Sequence, residues 1–244
     1  MKYFESPTYG KITTKLYGND LKQLGMATMN QLQILCDTLL QNDCKRFLDL
    51  GCSCGQITKW LSEQLSSEAI GVDIDTDALS YANKTNDKAS IQYKHINFNE
   101  LNFPPRSFDA IISIDTLYFC NSIIDIENIL TNCLQLLSKN GILAVYWENC
   151  PLQLFQNQTN HPFDTPIGQW ALKHNIDFTP IDFSKNVLPF WDTWELFEKN
   201  KEKLIEEIGV EFYDEMKHEW TLVNKFHKEN PNAIGKWLYI IKAN

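Results

Sequence analysis

The chain has 244 residues, with 22 Lys+Arg against 31 Asp+Glu and a formal net charge of −9. Hydrophobic residues at 43% and charged residues at 22% are ordinary globular usage, which argues against a disordered chain or a coiled coil, and the length suffices to bury a core unaided. The acidic balance weighs against an obligate nucleic-acid binder, no apolar run approaches the roughly 18 residues of a membrane span, and the opening MKYFESPTYG shows no secretory signal.

In chain order, residues 1–45 begin polar and Tyr-bearing and then turn helical. Met29, Leu32, Leu35, Cys36, Leu39 and Leu40 recur at three- and four-residue steps, one apolar helix face. RFLDL (46–50) reads as a buried strand and 55–65 as the helix after it. Strand 69–74 is followed by a helix through DALSYAN, then by strands 91–96 and 108–114. A helix over 122–138 leads to strand 141–147, with Asn140-Gly141 marking the helix end. This alternation predicts an α/β fold with a parallel sheet and helices on both faces. Further on, 165–175 reads as a helix, 176–183 as a sixth strand and 236–243 as the last. Between them, a helical stretch from Trp191 to about His227 is bracketed by Pro189 and Pro231. Its aromatics (Trp191, Trp194, Phe197, Phe212, Tyr213, Trp220, Phe226) read mostly as core, although an insert there overhangs the strand ends where ligands bind. The seven cysteines (36, 44, 52, 54, 120, 133, 150) are odd in number and lack metal spacing, which suits reduced thiols and a cytoplasmic protein.

The most informative segment is Asp49-Leu50-Gly51-Cys52-Ser53-Cys54-Gly55, between the first strand and its helix. Backbone N–H groups and a helix dipole meet a ligand at such a turn. The dinucleotide pattern G-x-G-x-x-G fails here, since Ser53 and Gln56 stand where glycines are required. Asp73 ends the second strand 22 residues past Gly51, with Ile74 beside it; a carboxylate there can accept from both hydroxyls of a ribose. Asp75 is a second, weaker candidate for the same contact and reads also as the cap of the next helix. Cys52 and Cys54 flank Ser53 and are too close in sequence for a redox pair.

The pattern acid-x-G-x-G-x-G, with Asp49, Gly51 and Gly55 matching and Ser53 in place of the middle glycine, resembles class I S-adenosylmethionine-dependent methyltransferases. Should Ser53 need positive φ, it costs about 1 kcal/mol or more. The stretch 95–119 is similar, in order, to the family's segment after the third strand: Asn97 stands at the adenine-contacting acid, Phe98 follows, and Leu101, Phe103, Pro104, Ser107, Phe108 and Asp109 keep the pattern. LLSKNGILAVYW (136–147) resembles the family's helix, turn and fifth strand. The resemblance implies a Rossmann-like, seven-stranded, mostly parallel sheet with an antiparallel last strand. It implies an N-terminal helical cap (1–45), a core (46–186 and 235–244) and a helical lid (187–234) between strands six and seven. It also implies S-adenosyl-L-methionine held by Asp49, Gly51, Ser53, Gly55, Asp73, Ile74, Asn97, Phe98 and Ser113.

Ser113 to Phe119 resembles the S-x-D-T/S-x-x-H region of small-molecule methyltransferases of the phosphoethanolamine type. Asp115 matches, but Phe119 stands where the family has His, which puts phosphobase chemistry in doubt. Tyr118 is the nearest polar replacement, and Asp115 reads equally as a turn cap. His161, in a polar loop after the fifth strand, is the first candidate for a general base; Tyr9 and Tyr17 come second. Glu148 is an acceptor-binding candidate or a loop acid. The 193–244 tail resembles, loosely, cyclopropane fatty acid synthases, and Leu24-Gly25-Met26 resembles the segment that closes over the cofactor there. The expected activity is methyl transfer to a small-molecule acceptor, by a monomer or homodimer with no metal. The alternatives are a non-catalytic cofactor-binding or interaction protein, and a protein or RNA methyltransferase.

Overall fold

A computed structural model of the chain describes residues 2–149, 161–186, 190–231 and 235–243. Cys150, Pro189 and the side chain of Trp191 lie outside the described residues. The parallel strands are β1 (Arg46–Leu50), β2 (Glu68–Asp73), β3 (Ile91–His95), β4 (Phe108–Ser113) and β5 (Leu137–Glu148). With β6 (Phe178–Asp182) and β7 (Lys236–Lys242) they form a seven-stranded sheet in the order β3-β2-β1-β4-β5-β7-β6. The last strand β7 runs antiparallel to both its neighbours, as expected.

The central strands are apolar because both their faces are covered. Alternation decides which residue faces which side: Leu48, Leu50, Ile70, Val72 and Ile111 belong to one core, and Phe47, Ala69, Ala110 and Ile112 to the other. α5 (Ile123–Leu136) and α6 (Pro166–Lys173) cover the first through Ile126, Ile129, Leu130, Ile167 and Trp170. The second is covered by α2 (Met29–Gln41), α3 (Gln56–Leu65) and α4 (Thr76–Thr85) through Leu35, Leu39, Leu61, Leu65 and Leu79. Strand order running left from β1 and right from β4 puts the crossover helices on opposite faces.

The structure departs from the sequence reading at three places. An unforeseen helix α1 (Pro7–Tyr17) precedes α2; Ser6 caps it by accepting from the Tyr9 N–H, with Pro7 at its first position. α5 ends at Leu136 rather than at Asn140-Gly141, and β5 begins immediately, with a register shift between Phe108 and Ala110 of β4. The long helical stretch is divided into α7 (Phe190–Lys199), α8 (Lys201–Ile208) and α9 (Val210–Glu229), the second break falling at Gly209 with φ 85°.

A third core joins the two ends of the chain. Tyr3, Phe4, Tyr9 and Ile12 pack with Phe197, Leu204, Ile208, Tyr213 and Met216 above Cys54 and Ala78. Of the insert's aromatics, Phe197 and Tyr213 are buried core and Trp194, Phe212 and Trp220 pack half-buried against it, but it is a core shared with the N-terminal segment rather than with the sheet. Glu207 fastens it: its carboxylate accepts from the Ser6 hydroxyl, from the Thr8 N–H at 3.0 Å and from the Thr8 hydroxyl at 2.7 Å. Burial works against that charge, yet the hydrogen bonds from Ser6 and Thr8 prevail and hold the carboxyl below its usual range. The position also suits an acid, since it faces the positive end of α1.

Candidate active site

At the carboxyl end of β1, Gly51, Ser53 and Gly55 all hold left-handed backbone, with φ of 74°, 46° and 76°. Gly51 is required twice over, because a Cβ there would also lie 2.2 Å from Thr116 Cγ2 in the loop after β4. That contact brings the glycine turn and the loop after β4 together. Ser53 adopts what a glycine would adopt freely, at about 1–2 kcal/mol. Two bonds hold it: its N–H donates to Asp73 Oδ2 at 2.7 Å, and its hydroxyl meets the Tyr3 hydroxyl at 2.6 Å. Tyr3 was not foreseen, because nothing in its neighbourhood marks it as a partner for residue 53.

Asp73 stands beside the turn at the end of β2, its second oxygen accepting from the Asp75 N–H at 2.9 Å. Asp75 caps α4 as expected, accepting from the N–H groups of Asp77 and Ala78. Ile74 is 58% exposed next to this carboxylate. Phe98 is buried, and Asn97 Oδ1 accepts from the Asn99 N–H at 2.9 Å, so the Asn97 amide N–H groups remain its outward donors.

Two expected cofactor contacts are placed otherwise. Asp49 is buried under the turn and accepts from Thr58 Oγ1 at 2.5 Å, tying α3 to β1. Burial, partly relieved by Thr58 and reinforced by the Asp73 charge, pushes its carboxyl up to about 7. Ser113 is wholly buried between Leu50 and Val145, because a strand side chain at that register points into the α5 side of the sheet. Its hydroxyl has no hydrogen-bond partner among the described residues. Cys52 and Cys54 are buried free thiols, and burial pushes the Cys54 thiol up to about 12, which leaves it unreactive.

Beyond β4 and β5 lies a second polar centre. Asp115, itself left-handed at φ 52°, accepts from the Tyr118 hydroxyl at 3.0 Å and from the Met26 N–H at 2.9 Å. The Tyr118 hydroxyl accepts in turn from the Glu148 N–H at 2.7 Å. The Glu148 carboxylate pairs with Lys236 Nζ at 3.1 Å, both side chains buried, and Lys236 also donates to the Met26 carbonyl at 3.0 Å. Burial, together with the Asp115 and Glu148 charges, raises Tyr118 well above its ordinary value, so at neutral pH it donates and cannot serve as a base. Burial raises Glu148 as well: the single Lys236 charge opposes this, and the Asp115 charge adds to it. Buried Tyr17 lies near both carboxylates and is raised, first by burial and then by them. Lys236 escaped the sequence reading because a lysine opening a terminal strand looks like an edge residue.

Among the described residues His161 makes no hydrogen bond with either centre: its Nδ1 accepts from the Phe163 N–H at 3.4 Å and its ring stacks on Phe163. Phe163 packs on Phe178, whose partner Ile241 pairs with Leu143, five residues before Glu148. Beside His161, the Pro162 carbonyl accepts from the Tyr239 hydroxyl at 2.8 Å, and Tyr239 pairs with Val145 of β5. Tyr9, the other alternative, is buried and donates to the Gln23 carbonyl at 3.0 Å. Phe119, at the expected His position, is 79% exposed. Among the described residues no cluster of His, Cys, Asp and Glu could hold a metal, and no helix is long and apolar enough to cross a membrane.

A doubly wound sheet with an antiparallel final strand, a glycine turn after β1 and an acid at the end of β2 define a methyltransferase-type Rossmann-like fold. Residues 48–145 match the family model described as "Methyltransferase domain". A search of curated proteins finds no match to the chain. Among solved structures, it is similar to the phosphoethanolamine N-methyltransferase 2 of Haemonchus contortus bound to phosphomonomethylethanolamine and S-adenosylhomocysteine. That pair has 17% identity and a TM-score of 0.70, covering 97% of this chain and 57% of that one. The chain thus spans little more than half of that protein. It is also similar to a geranyl diphosphate methyltransferase bound to S-adenosylmethionine, at 11% identity and TM-score 0.65, covering 99% and 94% of the two chains. A third is the [4+2]-cyclase SpnF, at 14% identity and TM-score 0.66, covering 97% and 92%. The fold expected from the sequence is the one these neighbours share, and the cofactor class expected is the one bound in the first two of them.

Proposed function

We propose that the protein transfers a methyl group from S-adenosylmethionine to a small-molecule acceptor by in-line displacement. The observation that carries this is the Asp73 carboxylate bonded to the Ser53 N–H of the left-handed turn, with the Asp115–Tyr118 pair in the loop that abuts Gly51. The residues fit the group. Asp73 keeps lone pairs for two vicinal hydroxyls, exposed Ile74 and buried Phe98 offer apolar surface to a flat base, and Asn97 keeps its amide donors for the ring edge. Gly51, Ser53 and Gly55 let the turn approach the remainder closely. Bound there, the group supplies a methyl on a sulfonium, already activated for attack.

The chain's own residues then have to hold an acceptor atom in line and exclude water. Asp115 is the base for an acceptor that carries a proton, and Tyr118 fixes its orientation as a donor. The cap and the lid close the chamber and select the acceptor. Domain roles follow: 1–45 as cap, 46–186 with 235–244 as core, 187–234 as lid. A cytoplasmic monomer or homodimer is the expected form.

Calorimetry with S-adenosylmethionine tests the proposal: micromolar binding is expected, and Asp73→Ala should weaken it about 10–150-fold, the range for hydrogen bonds to a charged group. An unchanged affinity in the variant would sink the site assignment. A second reading, a cofactor-holding protein without methyl transfer, is favoured by the likeness to a cyclase and by Phe119 in place of His. Sustained conversion of the cofactor to its demethylated product with a pool of metabolites would exclude it.

A further inference from the structure

The polar contacts beyond β4 and β5 close into a ring. Going round it, Lys236 Nζ meets Glu148, the Glu148 N–H meets Tyr118, Tyr118 meets Asp115, Asp115 meets the Met26 N–H, and the Met26 carbonyl returns to Lys236. Both polar groups of one residue in the arm between α1 and α2 are thus captured by two elements far away in sequence. Gly25 shows how tightly the arm is seated, because a Cβ there would lie 2.8 Å from Asp115 Oδ2. Gln23 reinforces the same bend, its Nε2 donating to the carbonyls of Gly25 at 2.8 Å and of Ala27 at 2.7 Å.

A simple buried ion pair would need none of this. Lys236 has three donors, and one of them reaches the arm rather than a second carboxylate. Asp115, the base of the proposed reaction, is held by the arm on one oxygen and by Tyr118 on the other. The arm and the base are therefore oriented by the same ring, and lifting the arm frees an oxygen of Asp115.

We propose that Lys236 is a positioning residue, a latch that seats the 21–28 arm on Asp115 and so keeps the base aimed and the cofactor enclosed. It acts through Met26 and Glu148, not on the reacting atoms. Its kinetic consequence rests on the proposed methyl transfer; its structural consequence does not.

The test uses the full chain and two variants of different kinds. Lys236→Met combined with Glu148→Gln removes both charges and leaves neither buried without its partner. Gly25→Ala leaves the ion pair and presses the arm off Asp115. Hydrogen exchange of residues 21–28, global unfolding by urea and S-adenosylmethionine dissociation are measured for each. Both variants should exchange at least tenfold faster at 21–28, with the rest of the chain unchanged, and should release the cofactor at least tenfold faster. Unchanged exchange at 21–28 would overturn the latch, and so would a rise spread evenly over the molecule with a matching loss of global stability. If the wild type binds no cofactor, the functional reading fails, while the exchange comparison still decides the latch.

Discussion

The parallel sheet and the cap–lid core are held together in different ways. In the sheet, each strand finds its neighbour through a register fixed by alternating apolar side chains, and each crossover helix covers the strands beside it. The cap–lid core has no such grammar. Tyr3 lies face to face with Phe212, ring centroids 5.7 Å apart at an interplanar angle of 8°, and Glu207 holds Ser6 and Thr8 across about two hundred residues of sequence. The first region builds the sheet and its glycine turn, and the second joins the two ends of the chain above that turn. The two meet at Ser53, whose N–H belongs to the sheet's Asp73 and whose hydroxyl belongs to the cap's Tyr3.

Substitutions should separate the two regions. The largest effect is expected from Lys236→Met alone, which leaves buried Glu148 without its cation: global stability should fall by about 3–5 kcal/mol, most of it recovered by adding Glu148→Gln. Urea denaturation of both variants measures this, and equal losses in the two would show that the pair is not electrostatically coupled.

Asp49→Asn comes next and is a matter of pH. The native Asp49 carboxyl is raised from 3.8 to about 7, so its stabilising contribution is complete below pH 3.8 and is lost as pH rises through about 7. The asparagine variant should therefore gain on the wild type between pH 4 and 7.5, by up to about 4 kcal/mol at 1.36 kcal/mol per unit. Parallel stability curves across that range would contradict the burial argument.

In the cap–lid region effects should be smaller and local. Glu207→Gln removes a charge from the start of α1 and should cost about 1 kcal/mol. Proteolysis or exchange at residues 2–17 should report it while the sheet's protection stays as it was. Were the sheet to loosen equally, the two regions would be one cooperative unit.

The smallest effect tests the junction. Ser53→Gly relieves left-handed strain but forfeits the bond to Tyr3, so it should change stability by only a few tenths of a kcal/mol. In a Tyr3→Phe background the same change should stabilise by about 1 kcal/mol. A double-mutant cycle with no coupling would remove the cap's hold on the turn.

Reading the chain by itself determined the parallel sheet, the sixth and seventh strands, the glycine turn and the acid at its side. These rest on local periodicity and on the backbone freedom of a few positions, which are written in consecutive residues. Asp115 and Tyr118 could be proposed in the same way, since both lie at the end of a predicted strand. What tertiary structure alone decided is who meets whom. It set His161 against Phe163, buried Asp49 and Ser113, packed Phe197, Tyr213 and their aromatic neighbours into a core shared with residues 3–12, and joined Lys236 to Met26 through Glu148, Tyr118 and Asp115. The physical reason is that a lysine, a glutamate or a tyrosine carries the same side chain on a solvated edge as in a sealed ring. Only the closing of long loops brings its partner within hydrogen-bond range.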